Sequence, residues 1–381
     1  MENIIIKENR QWIDDVWNKL DNKISRTAIS SRYKIPYTTV NGVHDNRFEV
    51  APDAWTNGFW GGLMWLMYVG TGNEEYKKTA EISEKMLDKA FEDFKSLNHD
   101  VGFMWHLTSG ANYRITGNAR SLNRSLFAAA VLASRYNVDG GYIRAWNGDG
   151  SVGWTIIDCM MNLPLLYWAS EELGDDRFKR IAQSHADKAI KYHIRDDGST
   201  NHIVEYNPET GDFVKTHAGQ GYCAGSCWTR GLAWAIYGTV LSHIYTKKEE
   251  YLKAAIKMAD YYINNISDDY LTVVDFKAPH EPIFYDSTAG VCIACGLIEL
   301  SKCIEGEEGN RYLQTAINIL KATDVTFCDY GDDSDAVVHS GTGAYPNVEW
   351  KMSEVHIPII YGDFFFVEAM LKLKGHDFLI W

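Results

Sequence analysis

Apolar positions along the chain fall into two kinds of run that alternate. One kind is apolar on nearly every side, as in GFWGGLMWLMYVG (58–70), CMMNLPLLYWA (159–169) and GLAWAIYGTVL (231–241). The other spaces apolar residues among charges: Ile82, Met86 and Leu87 in one run, Ala254, Met258 and Tyr261 in another. That spacing predicts amphipathic helices with one wet face, and all-round apolarity predicts buried helices. Short polar turns such as VGTGN, ELGDD and YTKKE lead from a buried run into a charged one. The result is an internal repeat of helical hairpins, the pattern of an all-α solenoid or toroid. Buried inner runs are expected near 58–69, 122–136, 158–173, 227–245, 287–303 and 362–374. The run at 122–136 has no evident charged partner. Six inner helices without a polar capping repeat predict closure into an (α/α)6 barrel, with residues 1–381 as one domain.

The connections are unequal. Those that return from a charged run to a buried one are long, near 95–121, 194–226, 266–286 and 324–361. In a hairpin toroid they emerge at one end, beside the N-termini of the inner helices, and long loops are where function concentrates. They hold polar and aromatic residues that the helices lack, as in NHDVGFMWHL (98–107), DGGYIRAWNGDGSVGW (139–154) and HSGTGAYPNVEWK (339–351). One of them reads as a β-hairpin, with HIVEY and DFVKT as strands around NPETG.

Charge narrows the partners. The formal balance is 37 − 51 = −14, against a nucleic acid or an anionic membrane surface. No stretch approaches 18 uncharged apolar residues, so no membrane span is expected. The opening MENIIIKENRQWIDDVWNKL has no long apolar core, so no secretory signal is expected either. Seven cysteines without framework spacing fit a reduced cytoplasm, and Cys292 and Cys295 read as buried thiols. No His/Cys cluster has metal-ligand spacing, and there is no G-x-G-x-x-G, Walker A or G-x-S-x-G. Neither a metal nor a cofactor is expected. The 13 Trp and 22 Tyr suit a pocket that stacks sugar rings, and equally a large aromatic core.

Asp158 is the single charge in WTIIDCMMNLPLLYW (154–168). Burying an unpaired carboxylate costs several kcal/mol or makes it hold a proton. Asp158 is therefore either the N-cap of an inner helix or an acid whose apolar surroundings raise its pKa for proton donation. Asp100, in HDVGF, is a solvated turn residue or the second carboxyl of a glycoside-cleaving pair. His99 and His202 are candidate ligands or proton carriers. Arg230, in the first turn of an inner helix, pairs with a loop acid or grips a substrate carboxylate. Trp55, Trp146 and Trp228 flank inner helices, and three at one end favour a platform for a sugar ring.

Several of these segments resemble a known family. WTNGFWGGLMW (55–65), HDVGFMW (99–105), the Asp158 run with its MN, NHIVEYNPETGDF (201–213), QGYCAGSCWTRGLAWAIYG (220–238) and IPIIYGDFFFVEAML (357–371) are similar, in order and over most of the chain, to the unsaturated glucuronyl hydrolases of glycoside hydrolase family 88. The resemblance implies removal of the non-reducing-end 4,5-unsaturated uronic acid from glycosaminoglycan oligosaccharides left by lyases, through hydration of the C4=C5 vinyl ether. Asp158 would protonate C4 and draw a proton from the water attacking C5. Asp100 would hydrogen-bond the sugar hydroxyls and keep Asp158 in the right protonation state. His202, Gln220 and Arg230 would hold the uronate and the water, and Trp55, Phe59, Trp146 and Trp228 would be aromatic walls. Tyr345, Lys351 and Ser353 are placed near the next sugar, against a sulfate or N-acetyl group. Asn57 stands where many relatives are expected to carry Asp. The partner is a small oligosaccharide, and the protein is expected as a monomer or homodimer. An apolar collar and the like charge of Asp100 both raise the pKa of Asp158, predicting a mildly acidic to neutral optimum.

Three rivals remain. Unsaturated rhamnogalacturonyl hydrolases of pectin fragments share the barrel and the Asp158 equivalent, but HDVGF favours the glucuronyl branch. An inverting glucoamylase-type enzyme needs a Glu pair, and Glu205, Glu281, Glu349 and Glu354 stand in no comparable context. A sugar-binding toroid without activity would tolerate Asn at both acids.

Overall fold

A computed structural model describes residues 3–346 and 354–381. Its helices are α1 (Ile4–Glu8), α2 (Arg10–Ser30), α3 (Arg47–Val50), α4 (Asn57–Thr71), α5 (Glu74–Met86), α6 (Val101–Trp105), α7 (Ala111–Thr116) and α8 (Ala119–Ser134). They continue with α9 (Leu163–Leu173), α10 (Arg177–His193), α11 (Thr229–Thr246), α12 (Glu249–Asn265), α13 (Ser287–Cys303), α14 (Gly306–Phe327) and α15 (Ile360–Leu373). A π-helical turn, His106–Gly110, joins α6 and α7 into one rod.

Packing sorts them into two rings. α4, the α6–α7 rod, α9, α11, α13 and α15 touch in that order, and α15 returns to α4 to close the inner ring. α5, α8, α10, α12 and α14 follow their inner partners and bury one face each. α2 packs on α15 and α5 in the sixth outer place. The closed (α/α)6 barrel is thus present, around one continuous apolar core. Chemistry fixes the hairpin turns. α4 ends at Gly72 with φ 70°, and α9 at Gly174 with φ 63°, left-handed positions that glycine adopts without strain. The Asn73 side chain then accepts from Glu75 N and caps α5.

Two assignments change. The run at 122–136, expected as an inner helix, is the outer helix α8. It buries Ser121, Ser125, Ala128, Ala129 and Leu132 and leaves Phe127 68% exposed, so its bulkiest apolar residue points away from the core. The inner place belongs to the rod at 101–116, inside the stretch read as a connection from 95 to 121. That rod buries His106, Thr108, Ser109 and Asn112 beside its apolar residues, which hid it. Gly58 shows how closely it docks. A Cβ there would lie 1.9 Å from the Phe103 carbonyl oxygen, so the backbones of α4 and α6 are in contact. The helix α2 had no counterpart in the sequence reading.

The expected hairpin is present as β6 (Ile203–Tyr206) and β7 (Phe213–His217), with β5 (Trp154–Ile156) added antiparallel to its edge. Two shorter ribbons pair β1 (Thr39–Val40) with β2 (Val43–His44), and β3 (Tyr136–Asn137) with β4 (Tyr142–Ile143). The long connections lead into the N-terminal ends of the inner helices. Among the described residues no helix is long and apolar enough to cross a membrane.

Candidate active site

Strand register brings Asp158 to His202. Ile156 stands opposite Ile203, and Ile157 N donates to the His202 carbonyl at 3.0 Å. The residues just beyond the ladder therefore abut, with His202 Nε2 3.3 Å from Asp158 Oδ1. The imidazole has an assignable tautomer. Gln220 N donates to His202 Nδ1 at 2.9 Å, so Nδ1 is an acceptor and the proton sits on Nε2, facing Asp158. This requires glycine at 219. Its φ is +56°, and a Cβ would lie 2.0 Å from Nδ1. Asp158 is not an N-cap, which corrects one alternative. It lies inside a 3-10 turn, Ile157–Met161, and Asn162 occupies the residue before α9. Among the described residues Asp158 Oδ1 is the one buried carboxylate oxygen without a hydrogen bond.

Asp100 is held from several sides. Its N–H donates to Asn98 Oδ1 at 2.8 Å. His99 donates Nδ1–H to the Ala145 carbonyl at 2.9 Å and places Nε2 3.1 Å from Asp100 Oδ1. Burial disfavours charge on His99, but the adjoining Asp100 carboxylate outweighs it and raises the imidazole above its ordinary value. The Asn162 amide ties both acids together. Its Nδ2 donates to Asp100 Oδ1 at 3.2 Å and to the Asp158 carbonyl at 3.4 Å, while its Oδ1 accepts from Phe103 N at 2.8 Å. Gly102 makes that approach possible, because a Cβ would sit 2.5 Å from Asn162 Oδ1 and 2.7 Å from its Cα.

The two acids face a cavity of about 280 Å³ lined by Trp55, His99, Asp100, Trp146, Asp158, Gln220 and Arg230, all anticipated, together with Tyr37, Arg47, Asn98, Glu354 and Tyr361, which were not assigned to the site. His202 faces an adjoining cavity of about 600 Å³ that shares Trp146 and Gln220 with the first. Three anticipated residues stand elsewhere. Phe59 is fully buried behind Trp55, their ring centroids 5.8 Å apart. Trp228 lies under His202 at 4.4 Å and carries the Arg230 guanidinium on its face at 4.6 Å. Tyr345 lines a third cavity, with Phe284 and Tyr285. Lys351, Ser353 and Glu349 lie outside the described residues.

Arg230 does pair with a loop acid. It is 1% exposed, and its Nη1 donates to Asp286 and to the Thr342 carbonyl, its Nη2 to the Gly343 carbonyl. Burial works against its charge, and Asp286, helped by Tyr361, Tyr37 and Asp158, more than restores it. Nε has no partner among the described residues. Asn57 also becomes intelligible. Its Nδ2 donates to the carbonyls of Ala51 and Pro52 at 2.9 and 3.0 Å, which a carboxylate cannot do.

The sequence reading missed Asn162 as a link between the acids, although the MN after Asp158 had been noted. Tyr361 opens the apolar run of α15, and its position at an inner-helix N-terminus was a usable signal. Tyr37 and Arg47 precede the first hairpin, where no periodicity marks them.

Chemically, an acid facing an imidazole N–H and a second acid held by fixed donors line one cleft with aromatic walls. This arrangement suits proton transfer to a ring bound through its hydroxyls.

Comparison with known proteins gives a consistent picture. The profile of Glycosyl Hydrolase Family 88 matches residues 25–268. The chain is 35% identical over 328 residues to the unsaturated glucuronyl hydrolase of Bacillus sp. (strain GL1), covering 84% of this chain and 86% of that one. It is 30% identical over 370 residues to the unsaturated chondroitin disaccharide hydrolase of Streptococcus pyogenes serotype M1, covering 94% and 91%. Its structure superposes with a TM-score of 0.80, at 25% identity and covering 99% and 94%, on a mutant unsaturated glucuronyl hydrolase from Streptococcus agalactiae complexed with dGlcA-GalNAc6S.

Proposed function

The chain belongs to glycosyl hydrolase family 88, and on that premise we propose how its cavity works. The protein is an unsaturated glucuronyl hydrolase acting on unsaturated glycosaminoglycan disaccharides. In our reading Asp158 is the acid. Its carboxyl gives a proton to C4 of the C4=C5 vinyl ether. As water bonds to C5 it loses a proton to the Asp158 carboxylate, and the C5 hemiketal opens to release the neighbouring sugar. The observation that carries this role is the place of Asp158 on the wall of the cavity that holds Asp100, with its Oδ1 backed by His202 Nε2 at 3.3 Å.

The remaining groups position the ring. Asp100, kept an acceptor by His99 and Asn162, receives sugar hydroxyls. His202 donates Nε2–H toward Asp158. Gln220, whose Nε2 donates to the Gly343 carbonyl at 2.7 Å, and the free Nε–H of Arg230 flank the uronate carboxylate. Trp55 and Trp146 form the walls, with Phe59 and Trp228 as their backing. Tyr345 acts one layer out. We also infer a single catalytic domain over 1–381, acting as a monomer or homodimer. Cytoplasmic placement is supported by seven unpaired cysteines.

The test is turnover of unsaturated chondroitin, hyaluronan, heparin and rhamnogalacturonan disaccharides side by side, followed by loss of the unsaturated uronate's ultraviolet absorbance. Turnover of glycosaminoglycan disaccharides is the expected result. Turnover of the rhamnogalacturonan disaccharide alone would move the protein to the pectin branch.

A further inference from the structure

Charges around the cavity are unevenly matched. Among the described residues three acids line it, Asp100, Asp158 and Glu354, in a chain of net charge −14. An anionic substrate entering this wall needs cations to meet it. Among the described residues three that line it can supply positive charge. His99 is turned to Asp100. Arg230 is buried, and both of its terminal nitrogens are engaged with Asp286 and loop carbonyls. The third is Arg47.

Arg47 is exposed at the mouth, in the first turn of α3. Among the described residues its guanidinium has no carboxylate partner, and the guanidinium carbon lies 5.8 Å from the centre of the Tyr37 ring. That surface is itself fixed. Tyr37 N and Thr38 N both donate to Asp45 Oδ1, at 2.7 and 3.1 Å, and the Tyr37 carbonyl accepts from Ile360 N at 2.9 Å. The guanidinium rests on an anchored aromatic face with its donors unused. Such a group is preorganised for a bidentate contact with a planar or tetrahedral oxyanion.

The uronate carboxylate is not the anion that fits this place. It is attached to C5, which must lie at Asp158, deep beside His202 and the free Nε–H of Arg230. Arg47 stands at the rim instead. We propose that Arg47 is a specificity-determining residue that binds a sulfate ester carried by the disaccharide. This inference rests on the function proposed above and adds a substrate subclass to it.

The test is kcat and KM of the wild-type enzyme, Arg47→Gln and Arg47→Lys on matched sulfated and unsulfated unsaturated chondroitin disaccharides. Wild-type turnover of the unsulfated disaccharide checks the underlying function by itself. For Arg47→Gln, kcat/KM on the sulfated substrate should fall about tenfold, the scale of one charge-assisted contact. The loss should sit in KM, with less than about a twofold change on the unsulfated substrate. Arg47→Lys should recover part of it, because charge remains while the fork is lost. Equal losses on both substrates would overturn the proposal and make Arg47 a partner of the shared carboxylate. No loss on either would also overturn it.

Discussion

The barrel buries charge at both ends and treats it differently. At its floor, Glu368 accepts from the Tyr237 hydroxyl through Oε1 and from Trp381 Nε1 through both oxygens at 3.1 Å. Lys372 lies 3.3 Å from Glu368 and donates to Glu299, which also accepts from Lys302 at 3.0 Å. Every charge there has its partner. At the mouth, Asp158 Oδ1 has His202 Nε2 3.3 Å away, and neither that oxygen nor Arg230 Nε makes a hydrogen bond among the described residues. A buried charge that serves the fold is saturated, because an unsatisfied one is costly. The open valences mark the place where a substrate completes the set.

The sharpest way to break this comparison is to neutralise one acid at the mouth. Asp158→Asn keeps the shape and removes the transferable proton. Turnover should fall about a thousandfold, within the range of a positioned acid–base group. KM should move only a few-fold and the melting temperature should not drop. Near-normal turnover would remove Asp158 from the chemistry.

At the floor the opposite pattern is expected. Burial disfavours charge on Lys372, yet Glu299 and Glu368 hold its pKa above the ordinary lysine value. Lys372→Met leaves both acids without their shared cation. Breaking a buried pair from one side costs about 3–5 kcal/mol, measured by chemical denaturation, while kcat per folded molecule stays unchanged. A fall in kcat without loss of stability would reverse the assignment of the two ends.

Asp363 tests whether a mouth acid that serves the fold behaves like the floor. It is buried in the first turn of α15, and its carboxyl accepts from Val337 N and Val338 N. Burial pushes its pKa up to about 6 from 3.8, with those two N–H groups pulling the other way. Between the two values the native state keeps a proton that the unfolded state has lost. Stability from this group is therefore present at the acid end and falls as pH rises through the window, by about 3 kcal/mol in all. Asp363→Asn does not titrate. The wild-type advantage in unfolding free energy should shrink from about pH 4 to about pH 6 and then stay level. Parallel curves would contradict the burial of an ionisable proton there.

Much of this was legible because the repeat is strong where inner helices are apolar all round. α4, α9, α11, α13 and α15 announce themselves, and so does the β6–β7 hairpin with its NPETG turn. The α6–α7 rod did not, since it buries polar residues that pack against α4 and α8. Helix α8 misled for the converse reason, exposing Phe127 and burying serines and alanines. In the site, Asp100 and Asp158, singled out by residue type and context, and Gln220, named through the family resemblance, line one cavity. Arg47 and Tyr37 come from a stretch with no periodicity, and tertiary packing alone carries them to the mouth.

Asn162 sits where legibility and chemistry meet, and the smallest predicted effect concerns it. Its amide is fully buried and touches both acids' segments but lies behind the cavity. It is thus a positioning residue. Asn162→Ala deletes the bond to Asp100 and leaves Phe103 N without an acceptor, a cost of about 1–3 kcal/mol. A purely structural role would stop at that stability loss. If the amide sets the spacing of the acids, kcat should fall about tenfold at unchanged KM, since misplacing a reacting group acts on the transition state. Asn162→Asp keeps the acceptor for Phe103 N and loses the donor to Asp100. It should therefore recover the melting temperature better than it recovers kcat. Equal recovery of both would reduce Asn162 to a strut and leave the two acids positioned by His99 and the β5–β6 register alone.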